Sequence, residues 1–216
     1  LDHPVQYRLK SDTDDLRMDS LLGQQLRLTF HGQIHCIHCG RKTNKSFSQG
    51  YCYPCFRSLA QCDICIVSPE KCHFDQGTCR EPDWGEQHCM QDHIIYLSNT
   101  SGMKVGITRH NQIPTRWIDQ GAVQALAILK VSQRYYSGLI ETLFKQYLND
   151  KTNWRSMLKN DYVEQDLLAV FDEVWPKVKA QLDDELLADV SVLAPTEVMI
   201  SITYPAHQYP TKVISY

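Results

Sequence analysis

All nine cysteines of this 216-residue chain lie between Cys36 and Cys89. A chain so uneven in cysteine must fold that stretch around something that cysteine binds. Cys36 and Cys39 form one C-x-x-C pair, and Cys52 and Cys55 form a second after an interval of twelve residues. In each pair a tight turn aims two thiolates at one tetrahedral ion, and the backbone amides that follow can donate hydrogen bonds to the sulfurs. The two pairs supply four ligands, and Gly40 after the first pair suits the turn. The rival explanation is a disulfide framework, which belongs to small secreted domains with an even count and no paired C-x-x-C turns. Here the count is odd, and Cys62 with Cys65 makes a third C-x-x-C pair.

Beyond the first four cysteines there are more ligands than one further ion can take. Cys62, Cys65, Cys72 and Cys79 are the first assignment for a second zinc, with His73, Cys89 and His93 as alternates. Thiolates also serve iron, so an iron–sulfur cluster stays open, more for the second group than for the first. Four thiolates leave no coordination position for water, and the metal instead supplies folding free energy to a loop-rich segment. Both sites therefore read as structural zinc, about two ions per chain, and chemistry is expected elsewhere.

The rest of the composition bounds where that could be. A hydrophobic share of 43% is ordinary for a packed core, and 22 basic against 25 acidic residues leave a formal charge of −3. No global positive charge advertises nucleic acid, so any such binding must come from a local patch. The apolar runs are far shorter than the roughly 20 residues that cross a bilayer, and no charged-then-apolar leader opens the chain. These features lead us to expect a cytoplasmic protein without a membrane partner. The start at Leu1 and the end at Tyr216, inside a strand-like stretch from Thr211, point to a processed or truncated product.

Periodicity divides the chain into four regions. Residues 1–35 carry two alternating runs, Val5 to Leu9 and Gln25 to Phe30, read as N-terminal strands, and residues 36–93 form the cysteine-rich zinc domain. Residues 94–160 then change texture. Ile94 to Leu97 and Val105 to Ile107 flank the turn-rich Asn99 to Gly102, a hairpin signal. A helix is expected from Pro114 to a stop at Gly121, a third strand within 122–132, and a helix from Tyr135 to Leu148 whose stripe is Leu139, Ile140, Leu143, Phe144 and Tyr147. A short helix follows over Asn153 to Leu158. In residues 161–216 a longer helix is expected from Tyr162, kinked or divided at Pro176, and then a strand from Glu197 to Tyr204. The fold class is α+β: a zinc-ribbon-like segment, a small β-β-α-β-α domain, and a C-terminal helix and strand.

The β-β-α-β-α region carries polar residues in a particular order: Tyr96 on the first strand, Lys104, Val105 and Gly106 opening the second, Arg116 on the first helix, Glu141 on the second, and Asn153 twelve residues later. This set resembles the GIY-YIG nuclease superfamily over residues 94–159. Ile94, Ile95 and Tyr96 match the first strand motif except for its glycine; Lys104, Val105 and Gly106 match the second with lysine in place of tyrosine. The resemblance implies two paired strands, an arginine on a helix, and a glutamate that binds a divalent metal. It makes Tyr96, Lys104, Arg116, Glu141 and Asn153 the catalytic candidates, Glu141 the ligand of Mg²⁺ or Mn²⁺, and DNA or RNA the partner. The whole chain, cysteine cluster included, also looks like an uncharacterised bacterial family known only as a domain of unknown function, which brings no activity with it.

The chemistry stands without the analogy. Cleaving a phosphodiester needs an oriented water, a base, and positive charge where the phosphoryl oxygens become more negative. Glu141 would hold one Mg²⁺, Arg116 would clamp the phosphate with two donors, Tyr96 or Lys104 with a lowered pKa would take the proton from water, and Asn153 would orient or support. At about 100° per residue from Ile140, Glu141 borders the buried stripe of its helix, where a ligand facing a sheet edge belongs. Glycine within a strand marks a close approach, which Gly106 fits. Lys104, Arg109, Arg116, Arg134, Lys151 and Arg155 would make the local positive surface. Read singly, these residues have plainer roles: Glu141 a helix-flank carboxylate, Tyr96 a strand tyrosine, Arg116 a solvated arginine, and Lys104 an edge-strand guard. The alternative is a non-catalytic zinc-ribbon module for DNA, RNA or protein, in which Tyr51, Tyr53, Phe56 and Arg57 either stack on bases or form the small core beside the zinc.

Overall fold

A computed structural model of the chain describes residues 4–11, 13–148, 151–194 and 199–214. Its centre is the strand that the hairpin signal pointed to. The strand run β5 (His93–Asn99) is buried at all seven positions, because it lies between β6 (Met103–Arg109) and β7 (Gln124–Val131), pairing antiparallel with both, and is covered on both faces. Ahead of it come the short hairpins β1 (Arg8–Lys10) with β2 (Asp15–Arg17) and β3 (Ile34–His35) with β4 (Lys42–Thr43), then helices α1 (Tyr53–Ser58) and α2 (Pro82–His88). Three 3₁₀ turns, Ala60–Cys62, Ile64–Ile66 and Pro69–Lys71, link those two helices.

The two faces of the sheet bury different sets. On one, Ile95, Leu97, Val105, Leu126, Ile128, Leu129 and Val131 pack against helix α4 (Arg134–Phe144), helix α6 (Leu167–Lys179) and helix α7 (Asp184–Asp189), through Ile140, Phe144, Phe171, Val174 and Leu186. On the other, Ile94, Tyr96, Ala125 and Ala127 pack against Trp117 of α3 (Thr115–Asp119), Val5 and Ile202. Strict alternation would not send both Ile128 and Leu129 to the same face. The register between β5 and β7 shifts after Ile95, which pairs with Leu129 while Tyr96 pairs with Ala127, so Ile128 is the extra residue of a bulge.

The hairpin, the helix after Pro114 with Gly121 as its left-handed stop (φ 68°), and the third strand match the sequence reading. The short helix α5 (Trp154–Leu158) lies where it was expected, and α4 ends at Phe144 rather than Leu148. Other expectations need correction. Gln25 to Phe30 is irregular and exposed, with no partner strand among the described residues. The helix expected from Tyr162 starts only at Leu167, where Asp166 accepts the Ala169 N–H at 3.0 Å. The buried amides of Asn99 and Gln124 explain the delay: Asn99 donates to the Val163 carbonyl at 2.7 Å, and Gln124 both donates to Gln165 O at 3.1 Å and accepts from its N–H at 3.0 Å. Residues 163–165 are thereby held against the sheet outside any helix. Pro176 does not divide α6, since only three residues follow it and the buried stripe Leu167, Phe171, Val174 and Val178 runs through it. The C-terminal strand shrinks to β9 (Ile200–Ser201) on β7, beside an unforeseen β8 (Ser191–Val192) on the same strand; the earlier part of the expected run, 197–198, lies outside the described residues. Residues 211–214 carry no strand. Among the described residues no helix is long and apolar enough to cross a membrane.

Candidate metal centre and polar cleft

The first candidate metal centre is assembled locally. The β3–β4 hairpin presents Cys36 and Cys39, and the start of α1 presents Cys52 and Cys55; their four sulfurs lie within 4.8 Å of one another, and Cys39 Sγ is 3.7 Å from Cys52 Sγ. Sulfurs about 2.3 Å from a tetrahedral zinc are about 3.8 Å apart, so the donor set fits that ion. Burial raises the Cys36 thiol, but amides of Cys39, Cys52 and His38 outweigh it and bring Cys36 down to about 6; burial raises Cys55. Leu59 and Cys62 complete the buried cluster. Phe47 stacks on Phe56 and tilts against Tyr53, so these aromatics are packed around the site. The cluster is a possible metal-binding Cys₄ site, consistent with structural zinc.

Cys62, first assigned to a second zinc, thus sits with the first cluster rather than with Cys65, Cys72 and Cys79. The latter three line another small cavity together with Cys89, Asp63 and His73. His93 is elsewhere: it is buried on β5, its Nδ1 lies 2.7 Å from Gln91 O, and burial holds it at about 4.

Three of the five catalytic candidates meet on one cleft of about 480 Å³. Lys104 and Gly106 on β6, Arg116 on α3 and Glu141 on α4 all line it, along with Arg109, Gln120, Arg134 and Lys145. Tyr96 is fully buried beneath β6 and is not part of the lining. A Cβ on Gly106 would stand 2.6 Å from the Tyr96 hydroxyl, so only glycine at that register position lets the ring lie beneath β6. The ring also meets Trp117 edge-on at 6.0 Å, and its hydroxyl donates to Gln120 Oε1 at 2.8 Å. Burial pushes the Tyr96 phenol up to about 12, against the opposing charge of Arg116. The lowered pKa that a tyrosine base requires is therefore absent.

Lys104, only 5% exposed, donates to Thr152 Oγ1 at 3.0 Å. Glu141 Oε2 accepts from Lys145 Nζ at 3.1 Å. Arg134 donates through Nη2 to Ile66 O at 2.7 Å, which ties the cleft wall to the cysteine-rich segment. The lining holds five basic side chains, Lys104, Arg109, Arg116, Arg134 and Lys145, against the single carboxylate of Glu141. A local positive patch thus exists within an acidic chain. Lys151 and Arg155 do not line it; Arg155 lies over the Trp154 ring at 4.2 Å.

Asn153 takes a different place. Its Oδ1 accepts the Ser156 N–H at 3.3 Å as the cap of α5, its own N–H goes to Ser101 Oγ at 2.9 Å, and it is not part of the cleft lining. Sequence reasoning missed Lys145 and Gln120. Lys145 was legible as the i,i+4 partner of Glu141, whereas nothing local marked Gln120, whose role depends on α3 folding back over Tyr96.

No curated protein matches the chain, and no solved structure matches it. A family model described as a protein of unknown function, DUF2797, matches residues 23–216, and so takes in the cysteine segment, the sheet and the cleft; the chain belongs to the DUF2797 family.

Proposed function

We propose that the cleft binds nucleic acid and hydrolyses a phosphodiester, with the Cys36, Cys39, Cys52 and Cys55 site holding a structural zinc. The observation that carries this reading is the meeting of Lys104, Arg116 and Glu141 on one lining above Tyr96. The order β5, β6, α3, β7, α4 in an antiparallel sheet with β5 between β6 and β7 supports the GIY-YIG-like interpretation. Arg116 is the exposed arginine of the lining and would clamp the phosphate with paired donors. Arg109 extends the positive track along β6 for the flanking phosphates.

Glu141 offers a hard carboxylate oxygen, and one carboxylate with substrate phosphate and waters is the ordinary donor set of Mg²⁺; the ion, when bound, would supply Lewis-acid charge to the phosphoryl oxygens. The Lys145 contact must then yield or share that carboxylate. Tyr96, protonated at neutral pH, donates its hydroxyl hydrogen to Gln120 Oε1 beneath the lining, so in this scheme the proton of the attacking water would go to Lys104 as the uncharged amine. The test is cleavage of single- and double-stranded DNA and RNA with Mg²⁺ or Mn²⁺. Glu141→Gln should keep the fold and lose at least about 100-fold in rate, the scale of removing a charge-stabilising group. A variant as active as the wild type, or a wild type inert on every form, overturns the catalytic claim.

The Glu141–Lys145 ion pair favours one second reading: a cleft that binds nucleic acid without cutting it. Salt-dependent binding with no cleavage would decide for that module, and absence of affinity at low salt would leave a protein-interaction scaffold.

A further inference from the structure

We propose that Cys65, Cys72, Cys79 and Cys89 form a second four-thiolate zinc site, and that this ion fixes the wall of the cleft. The four cysteines come from four separate pieces of chain. Cys65 lies in the Ile64–Ile66 turn, Cys72 directly follows the Pro69–Lys71 turn, Cys79 precedes α2, and Cys89 caps its C-terminus. All four line one small cavity of about 20 Å³, together with Phe74, Trp84 and Gly85. That volume is the size of a single water or small ion. Four thiols from unlinked pieces of chain thus line one small space, and four soft donors select zinc over hard cations.

Two other ligand sets compete, and their side chains are already engaged elsewhere. Cys62 is buried in the first cluster beside Cys36, Cys52 and Cys55. At this cavity the donor atoms that lie within 4.8 Å of one another are those of Asp63, Cys65 and His73, whereas the four cysteines share its lining. The Asp63 carboxylate, however, is engaged by Arg80 Nε at 2.6 Å and by the Ile64 N–H at 2.6 Å. His73 turns Nε2 to Asp63 at 3.5 Å and Nδ1 to Thr78 Oγ1 at 2.8 Å. Both groups belong to the surround that holds the turns in place.

The site reaches the cleft through the residues between its first two ligands. Ile66, Val67 and Pro69, between Cys65 and Cys72, line the cleft. Pro69 sits against Gly138 so closely that a Cβ there would be 2.5 Å from the proline Cβ, and Gly138 lies one turn before Glu141 on α4. On the far side, the Arg134 N–H donates to Cys89 O at 2.8 Å. Zinc would thus clamp both ends of a short loop whose middle is docked on the helix that carries Glu141.

The count of metal tests the assignment independently of any cleavage. Wild-type protein should carry about two zinc ions per chain, Cys62→Ser two, and Cys72→Ser or Cys89→Ser one. A wild-type count near one, a Cys89→Ser count of two, or a Cys62→Ser count of one overturns it. Should the ligand variants prove insoluble, cobalt-loaded wild type decides. Eight cobalt–thiolate bonds are expected across the two sites, against five if Asp63, Cys65 and His73 were the second set, a ratio of about 1.6 in charge-transfer absorbance per chain; the lower value sinks the proposal.

Discussion

The first cysteine centre and the polar cleft are built in opposite ways. The centre draws its four ligands from a hairpin and a helix start less than twenty residues apart. The cleft draws Lys104, Arg116, Glu141 and Arg134 from three elements, and its remaining wall from the Ile66 to Pro69 turns. A local site can be specified by spacing alone, because the turn that makes the spacing also aims the side chains. A dispersed site exists only after the sheet has paired and its helices have docked. The centre should therefore survive damage to the sheet better than the cleft survives loss of metal.

The strongest way to break that comparison is to take the metal away. Cys52→Ser, which empties the first centre alone, should unfold residues 34–62, because structural zinc contributes on the order of 10 kcal/mol to such segments; chelation, which would also remove the second ion, should extend that loss to residue 89. Amide exchange should show that loss while the β5–β7 ladder stays protected. Simultaneous loss of the ladder would mean the two regions are one cooperative unit.

A smaller effect sharpens the cleft side. Because the Tyr96 pKa in the folded state lies near 12, above its unfolded value near 10, burial of the neutral phenol stabilises the fold fully below pH 10 and loses that contribution as pH rises through 12. The amount is roughly 3 kcal/mol, and denaturant titrations between those pH values should show it in wild type but not in Tyr96→Phe. Equal pH slopes would show that the ring is not desolvated.

Smaller still is Gly106→Ala. The added methyl would meet the Tyr96 ring at 2.6 Å, and overpacking of this kind costs about 1–3 kcal/mol. The loss should appear in thermal unfolding with zinc content unchanged. An unaltered melting temperature would mean the ring moves freely from beneath β6.

The sequence was most informative where structure is local. The C-x-x-C pairs, the Asn99 to Gly102 turn, the Gly121 stop and the two strands beside it were all legible because short-range chemistry determines each. The start of α6 was not, since buried amides of Asn99 and Gln124, more than forty residues earlier in some pairs, hold the preceding segment. Asn153 had the right spacing for a site residue, and the α5 cap accounts for its position instead. Cys62 and Cys89 could not be sorted by spacing, because the choice depends on which way the chain turns after α1.

The bulge in β7 has a consequence for length. Ile128 is the residue left over between the pairs Ile95–Leu129 and Tyr96–Ala127, so the pleat on either side of it is already in phase with β5. Removing Ile128 would join those halves into a regular ladder, keeping Ala127 and Leu129 on their present faces at the expense of one buried side chain. Deleting Leu126 would instead swap the faces of Ala127 and Ile128. The strand beside the fully buried β5 thus holds one residue of slack, and a deletion at that point leaves the pairing on both sides in phase.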